Sequence, residues 1–95
     1  MKVVFRRFCE ADLKWFRYYY DSVFPAGAVR AKTRLASIYQ TLKAHPLIGH
    51  PVVGVANVHE FNIPNTPFSL IYTVNDTEIM VLRILDNRAH RPTVF

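Results

Sequence analysis

Apolar and polar residues alternate along the second half of the chain with the period of β-strands. The alternation covers three stretches, Asn57–Pro64, Phe68–Val74 and Glu78–Leu85. Because successive side chains of a strand point to opposite faces of a sheet, this period predicts three strands. The third stretch is apolar on both faces except at Arg83, which predicts a central strand covered on both sides. Asn75 and Asp76 tolerate positive φ, so they predict a two-residue hairpin turn before the last strand.

The first half of the chain has the period of α-helices. It opens with Lys2–Phe8, whose β-branched and aromatic residues predict one further strand. Apolar residues then recur at steps of three and four, which predicts two helices. The first helix is Glu10–Phe24, and the second carries a stripe formed by Ala28, Ala31, Leu35, Ile38 and Leu42. Pro25 and Gly27 separate them, and this short connection predicts an antiparallel helical hairpin.

The order of these elements predicts the fold class. A strand, two helices and three strands in succession indicate an α+β fold, and 95 residues fit a single domain over residues 1–95. We expect an N-terminal strand, an antiparallel two-helix hairpin and then a three-stranded antiparallel meander. Neither helix can bury its apolar stripe alone, so the helix pair is expected to cover one face of an antiparallel sheet.

Cysteine usage, hydropathy and charge indicate the compartment of the protein and the partners that it could bind. The single cysteine, Cys9, excludes an intrachain disulfide framework and favours a reducing compartment. No apolar run approaches the ~20 residues of a membrane helix, and charged residues interrupt the N-terminus where a signal peptide would be apolar. We therefore expect a cytoplasmic protein with no membrane partner. The net charge of +5 would attract nucleic acid or an acidic protein, and it also fits a role in solubility alone.

Residues for metal, nucleophilic or phosphate chemistry do not form a recognisable motif. His45 and His50 are five apart across a loop, while His59 and His90 stand alone, so no second ligand set completes a zinc site. Cys9 has no activating base near it in sequence. The three glycines are not clustered as a phosphate-binding loop requires. We therefore expect neither a metal nor another cofactor.

Three aromatic residues of the first helix lie off its apolar line. They are Trp15, Tyr18 and Tyr19. Aromatic residues at helical spacing most often belong to the core, which is the expectation here. The alternative is an exposed aromatic patch that binds a partner.

Cationic side chains gather at and beyond the end of the last strand. They are Arg83, Arg88, His90 and Arg91. Guanidinium groups bind phosphates and carboxylates through paired hydrogen bonds, so this group predicts a surface that recognises anions. A solvated strand end without a ligand is the simpler alternative.

Three motifs in a fixed order resemble one protein family. "HPLIGHPV" (45–52), "VHEFNIPNTPFSLIYTV" (58–74) and "EIMVLRILDNRAHRP" (78–92) follow the helical hairpin. Together they resemble the ParE/RelE superfamily, the toxin halves of bacterial type II toxin–antitoxin systems, which act in plasmid stabilisation. The resemblance implies the α+β fold described above. It also implies a cognate antitoxin in a hetero-oligomer, adding a strand at a sheet edge and a helix across the hairpin. Trp15, Tyr18 and Tyr19 are then candidate antitoxin anchors.

The superfamily has two functional kinds. The residues of this sequence can be compared with those that each kind requires. RelE-like members cleave messenger RNA on the ribosome and need cations on the sheet to hold the scissile phosphate. ParE-like members poison DNA gyrase. The two strand positions that often carry lysine in the nucleases are Glu60 and Asn62 here, and Ser69 replaces an arginine. The exit arginine is best matched by Arg88.

These replacements favour the ParE-like kind. The resemblance then implies a gyrase inhibitor rather than an enzyme. The residues expected to bind its target are Arg83, Arg88, His90 and Arg91. The alternative is a ribosome-dependent endoribonuclease that cleaves messenger RNA. Its candidate catalytic residues are Glu60, Arg83, Arg88 and His90.

Overall fold

The computed structural model describes residues 2–7 and 9–88 and contains two helices and five strands within them. In chain order these are β1 (Lys2–Phe5), α1 (Cys9–Tyr18), α2 (Ala28–Ala44), β2 (His50–Pro51), β3 (Val58–Asn62), β4 (Phe68–Val74) and β5 (Glu78–Asp86). A π-helical turn, Tyr19–Val23, and a 3-10 turn, Pro25–Gly27, connect α1 to α2. The α+β class and the order of the predicted elements are confirmed.

The strands form one mixed sheet in the order β1-β5-β4-β3-β2. Strand β1 runs parallel to β5, and the other neighbouring pairs are antiparallel. The predicted three-stranded antiparallel meander is confirmed as β3, β4 and β5. The expectation of an antiparallel sheet was wrong for β1, and the prediction lacked β2. The partner of β1 lies at the far end of the sequence, so no local pattern revealed its direction. Strand β2 has only two residues, one of them Pro51, and is too short to show a period of two.

The sheet separates two apolar clusters. The larger lies between the sheet and the helices and includes Phe16, Ile38, Leu42, Phe68, Leu70, Tyr72, Ile79, Val81 and Ile84. The smaller lies on the opposite face and consists of Val58, Ile71, Leu82 and Leu85, with Val52, Val55 and Met80 packed against it. Because β5 contributes to both clusters and lies between β1 and β4, the prediction of a central strand covered on both sides is confirmed.

A β-bulge in β5 determines which face of the sheet its side chains occupy. Tyr72 pairs with Val81 whereas Ile71 pairs with Arg83, so Leu82 is an extra residue in the ladder. The bulge turns Leu82 and Arg83 to the face opposite the helices. Val81 and Ile84, three residues apart, can then both face the helices.

The first helix changes its geometry after Tyr18. The N–H of Phe24 donates to the carbonyl of Tyr19, five residues earlier, at 2.7 Å. This wider turn brings two consecutive aromatic rings onto one partner, since the centroids of Tyr19 and Tyr20 lie 5.6 and 6.1 Å from that of Phe68. Sequence periodicity predicted a regular helix to Phe24 and missed this π-helical turn.

The turn between β4 and β5 is built by a side chain. It contains residues 75–77, and neither Asn75 nor Asp76 has positive φ. Instead, Asn75 Oδ1 accepts hydrogen bonds from the N–H groups of Thr77 and Glu78 at 2.9 and 2.8 Å. The N–H of Asn75 also donates to the carbonyl of Glu78 at 3.0 Å, which closes the turn. The predicted turn at Asn75 and Asp76 was therefore wrong in its conformation, because the asparagine acts as a side-chain acceptor and does not adopt a left-handed conformation.

Candidate functional site

The end of β5 is tied to the first helix by one carboxylate. Asp86 Oδ1 accepts the backbone N–H and the Nε–H of Arg88 at 3.0 and 2.9 Å. Asp86 Oδ2 accepts Nη2–H of the same arginine at 2.8 Å and Nε1–H of Trp15 at 3.0 Å. Asp86 pairs with Phe68 across the ladder, so this carboxylate lies on the helix side of the sheet.

An aromatic ring supports the same arginine. Nη1 of Arg88 donates to the hydroxyl of Tyr19 at 3.0 Å, and Cζ lies 4.4 Å from the centre of the Tyr19 ring. This is a cation–π contact combined with a hydrogen bond. Trp15 in turn stacks on Tyr18 with the ring centroids 5.5 Å apart. We call these five residues, Trp15, Tyr18, Tyr19, Asp86 and Arg88, the exit cluster.

The exit cluster holds its ion pair in the charged state. The hydrogen bonds from Arg88 hold the pKa of Asp86 well below its usual range. The same bonds raise the pKa of the Arg88 guanidinium. Both groups are therefore ionised at neutral pH, and the charge of Arg88 is largely offset by its neighbour. The side chain of Arg88 nevertheless remains 49% exposed.

The aromatic residues of α1 do not belong to the core as a group. Trp15 is 43% exposed and Tyr18 is 53% exposed, so the expectation of burial was wrong for both. Tyr19 is half-buried and packs against Phe68. The physical reason is geometric: Phe16 and Tyr20 already fill the inward side of α1 and leave Trp15 and Tyr18 facing outward.

The face of the sheet opposite the helices carries a neutral polar network. Ser69 is fully buried, and its hydroxyl donates to Asn62 Oδ1 at 2.6 Å. The same hydroxyl oxygen accepts Nδ2–H of Asn87 at 2.9 Å. Asn62 lies directly opposite Ser69 in the β3–β4 ladder, so the pairing register creates this contact. The three side chains are hydrogen-bonded to one another, and none of them carries a charge.

Arg83 of β5 is bound to a carboxylate of α1. Its Nε–H and Nη2–H donate to the two carboxylate oxygens of Asp12 at 2.7 and 3.0 Å, which raises the pKa of the guanidinium. Asp12 Oδ2 also accepts the N–H of Ile84 at 2.9 Å. The carboxylate therefore closes the edge of β5 beyond the end of β1. Two hydrogen bonds to a half-buried aspartate make Arg83 a fixed part of the fold.

Other reactive side chains are buried or dispersed. Burial, followed by the charge of Asp12, raises the pKa of the Cys9 thiol to about 11, so the thiol is a poor nucleophile at neutral pH. The ring of His59 stacks on Tyr72 at 5.6 Å. Within residues 2–7 and 9–88, no three His, Cys, Asp or Glu side chains converge as metal ligands. Within the same ranges, no helix has both the length and the apolarity to cross a bilayer.

Comparison with known proteins identifies the family. A family model described as the ParE toxin of type II toxin–antitoxin system, parDE, matches residues 3–90. The chain belongs to this family of ParE toxins. It is also similar to a solved structure described as the chromosomal ParDE TA system from P. aeruginosa, with 28% sequence identity and a TM-score of 0.67. That similarity covers 88% of this chain and 92% of the other. A search of curated proteins found no match.

In this ParE toxin, the predicted site residues separate into two groups. Trp15, Tyr18, Tyr19 and Arg88 lie together on the helix side of the sheet. Arg83 and Glu60 lie on the opposite face, where Ile71 of β4 pairs with both of them. Arg83 and Arg88 have different carboxylate partners and so do not form the predicted cationic group. His90 and Arg91 lie outside the described residues.

Three residues that organise this ParE toxin were missed by sequence reasoning. Asp86 stands two residues before Arg88, a spacing that was visible and that predicts a local ion pair. Asn87 follows Asp86 in sequence and donates a hydrogen bond to the Ser69 hydroxyl. Asp12 is 71 residues from Arg83 in sequence, and no local pattern connects the two.

Proposed function

We propose that this ParE toxin acts in the cytoplasm by inhibiting DNA gyrase and trapping it on cleaved DNA. A cognate antitoxin neutralises it in a hetero-oligomeric complex, as expected of a plasmid stabilisation system. Membership in the ParE family supports the class of activity. Similarity to a structure described as a ParDE system supports the antitoxin partner.

The observation that carries the choice of target is the neutral network of Asn62, Ser69 and Asn87. RelE-like cleavage requires cations that stabilise charge on the scissile phosphate. At two of the expected positions, this chain has an amide and a hydroxyl that are uncharged and hydrogen-bonded to each other. Ser69 is fully buried, so a substrate phosphate could not reach it without disrupting the sheet. The arrangement supports a binding toxin over a nuclease.

The proposed contacts assign one role to each part of the exit cluster. Trp15 and Tyr18 are exposed aromatic residues suited to anchoring an antitoxin segment, with Tyr19 supporting them. Arg88 contributes a fixed cation to target binding, together with His90 and Arg91, which follow it in sequence. Arg83 contributes indirectly, since its bonds to Asp12 fix the path of β5 toward Arg88.

A supercoiling assay with purified components tests this function. Reconstituted gyrase and relaxed plasmid are incubated with increasing amounts of the free toxin. We expect loss of supercoiling and accumulation of cleaved DNA at micromolar toxin. Arg88→Ala should raise the required concentration about tenfold, as expected for loss of one charge-assisted contact. Lys43→Ala removes the same charge from the end of α2 and should have no effect.

Unchanged supercoiling at micromolar wild-type toxin, in cells that still stop growing when the gene is induced, would contradict gyrase as the target. Such a result would favour the ribosome as the target.

Glu60 and Arg83 lie on one face of the sheet, and this observation favours the ribonuclease as a second candidate. The two residues are separated by β4, so their backbones are about two strand spacings, or ~10 Å, apart. A translating extract with defined messenger RNA distinguishes the functions. Cuts at fixed codon positions that depend on both Glu60 and Arg83 would identify a nuclease. An intact message together with gyrase poisoning supports the primary proposal.

A further inference from the structure

The acidic and basic residues of the chain are unevenly distributed. From Ser22 to His59 there is no aspartate or glutamate, whereas Arg30, Lys32, Arg34 and Lys43 all fall in α2. These four cations account for most of the net charge of +5. A helix that carries charge of one sign, without acidic neighbours in sequence, produces a positive potential that attracts a polyanion.

The outward side of α2 is polar and open. Arg30, Thr33, Ser37 and Gln40 recur at steps of three and four, so they lie on one side of the helix, and all four are exposed. We call these four residues the α2 face. Its first three residues border an open concavity of about 600 Å³. The face is therefore accessible to a large partner.

Arg30 differs from the arginines of β5 and the exit cluster because it has no carboxylate partner. Arg83 and Arg88 each bind an aspartate. Among the described residues, the side chain of Arg30 makes no hydrogen bond or ion pair, and it is exposed. Its charge and its five N–H donors are therefore free to bind a ligand. The planar guanidinium matches the paired oxygens of a phosphate.

The side chains of the α2 face indicate which polyanion fits. Protein interfaces are anchored by aromatic residues that become buried, and none of these four residues is aromatic. Arginine, hydroxyl and amide side chains are the usual partners of nucleic-acid phosphates. This composition favours a nucleic-acid backbone over an acidic protein segment.

The geometry of a helix favours DNA over duplex RNA. The major groove of B-DNA is ~12 Å wide and admits an α-helix, whereas the major groove of an RNA duplex is too narrow for side chains to enter. From Arg30 to Gln40 the α2 face extends ~15 Å along the helix axis, which is the axial length of about four base pairs. The face can therefore contact phosphates along the edge of the major groove.

We propose that the α2 face binds the phosphate backbone of duplex DNA without preference for sequence. Arg30 supplies the paired contact to one phosphate, and Thr33 supplies a hydroxyl donor one turn further along the helix. Lys32 and Arg34 add positive charge from the same two turns. DNA binding is a property of the free toxin and is distinct from gyrase inhibition.

Fluorescence anisotropy with the full-length toxin and short labelled DNA duplexes tests this proposal. If two to three phosphates are neutralised, affinity should fall about 15–40-fold between about 50 and about 200 mM salt. Arg30→Ala should weaken binding about tenfold at the lower salt concentration and reduce the slope of log affinity against log salt by about one. Two duplexes of unrelated sequence should bind equally.

A matched variant on the same helix provides the control. Lys43→Ala removes the same charge from the last turn of α2, beyond the α2 face, and should change the affinity less than about twofold. Arg30→Ala should leave the thermal unfolding midpoint unchanged, since the side chain has no partner among the described residues. A loss of DNA binding by this variant therefore reports a lost contact and not a lost fold.

Four outcomes would overturn the proposal. The first is no binding at about 50 mM salt with toxin up to ~100 µM. The second is an equal loss for Arg30→Ala and Lys43→Ala, which would show only a general attraction to the net charge. The third is equally tight binding of duplex RNA of the same sequence. The fourth is displacement of DNA by polyglutamate at equal concentration of charge, which would indicate a surface for acidic proteins. None of these results bears on gyrase inhibition, which the supercoiling assay with Arg88→Ala measures separately.

Discussion

Asp86 is the residue that organises the exit cluster, because its carboxylate accepts four hydrogen bonds. Three come from Arg88 and one comes from the indole of Trp15. A carboxylate with both oxygens used twice has little capacity for another donor. Asp86 therefore fixes the orientation of Trp15 and Arg88.

The depressed pKa of Asp86 makes part of the stability dependent on pH. The carboxylate binds protons less readily in the folded chain than in the unfolded chain, where its pKa is about 3.9. The contribution is therefore complete above about pH 5, begins to decline below about pH 4, and is lost only as the pH falls through the much lower folded-state pKa. Asp86→Asn should cost about 1–2 kcal/mol at pH 7, since the arginine is half exposed, and this cost should shrink progressively as the pH is lowered below about 4.

Urea unfolding followed by the fluorescence of Trp15, the single tryptophan, measures this difference. Asp76→Asn, in the exposed β4–β5 turn, is the control for loss of one negative charge. A loss of stability that does not shrink as the pH is lowered from about 5 toward about 2 would show that Asp86 acts through packing and not through its charge.

At the level of elements, the edge of β5 is protected by different groups along its length. Strand β1 covers β5 from Glu78 to Val81. Beyond that point the N–H of Arg6 donates to the carbonyl of Val81 at 2.9 Å, and Asp12 then accepts the N–H of Ile84. The first turn of α1 thus continues the role of β1. An edge strand is otherwise open to pairing with another chain.

Replacing Asp12 should expose this dependence. Asp12→Ala removes the acceptor of the Ile84 N–H and leaves Arg83 without its carboxylate, so we expect a loss of about 2–4 kcal/mol. Hydrogen exchange should increase at Ile84 and leave the β3–β4 ladder protected. Asp76→Ala is the matched control and should cost less than about 0.5 kcal/mol. A loss below about 1 kcal/mol for Asp12→Ala would mean that solvent replaces these bonds.

The loop after α2 is held against the sheet by a close contact at Gly49. Its N–H donates to the hydroxyl of Tyr72 at 2.9 Å. A Cβ at this position would lie 2.7 Å from that hydroxyl and 2.7 Å from the carbonyl oxygen of Glu60. Because one obstacle is backbone, relaxation is limited, and Gly49→Ala should cost about 1–3 kcal/mol.

Gly54 provides a contrasting control for this prediction. It has φ +82, and a Cβ added there would have no atom within 4 Å, so Gly54→Ala should cost about 1–2 kcal/mol through backbone conformation alone. Gly54→Asn should recover part of this loss, whereas Gly49→Asn should be worse than Gly49→Ala. Thermal unfolding of the four variants compares them. Equal effects of alanine and asparagine at Gly49 would contradict a steric origin.

The sequence predicted those elements whose pattern is local. The α2 stripe at Ile38 and Leu42 and the alternation of Phe68–Val74 reflect burial on one side of an element, which a single segment reveals. The direction of β1 and the bond between Asp12 and Arg83 depend on residues more than 70 positions apart. The exit cluster falls between these cases: Arg88 and the aromatic residues were identified, but the exposure of Trp15 depended on how α1 is rotated.

At the scale of the whole molecule, β5 joins the two apolar clusters into one unit. Ile79 and Val81 pack toward the helices, while Leu82 and Leu85 pack toward the opposite face. The smaller cluster also includes Val55 of the loop between β2 and β3. Unfolding of either face removes support from the same central strand. We therefore expect the domain to unfold in a single cooperative transition.

Truncation of one buried residue on the smaller face tests this cooperativity. Ile71 is fully buried at the centre of the smaller cluster, and Ile71→Ala should cost about 2–5 kcal/mol. Val53 is 97% exposed on the neighbouring loop, so Val53→Ala should change stability by less than about 0.5 kcal/mol. If the two faces are coupled, Trp15 fluorescence and far-ultraviolet circular dichroism will report the same lowered midpoint for Ile71→Ala, although Trp15 lies on the helix side. Separate midpoints would mean that the helical face remains folded without the smaller cluster. The exit cluster would then depend on the α1 contacts with β5 alone.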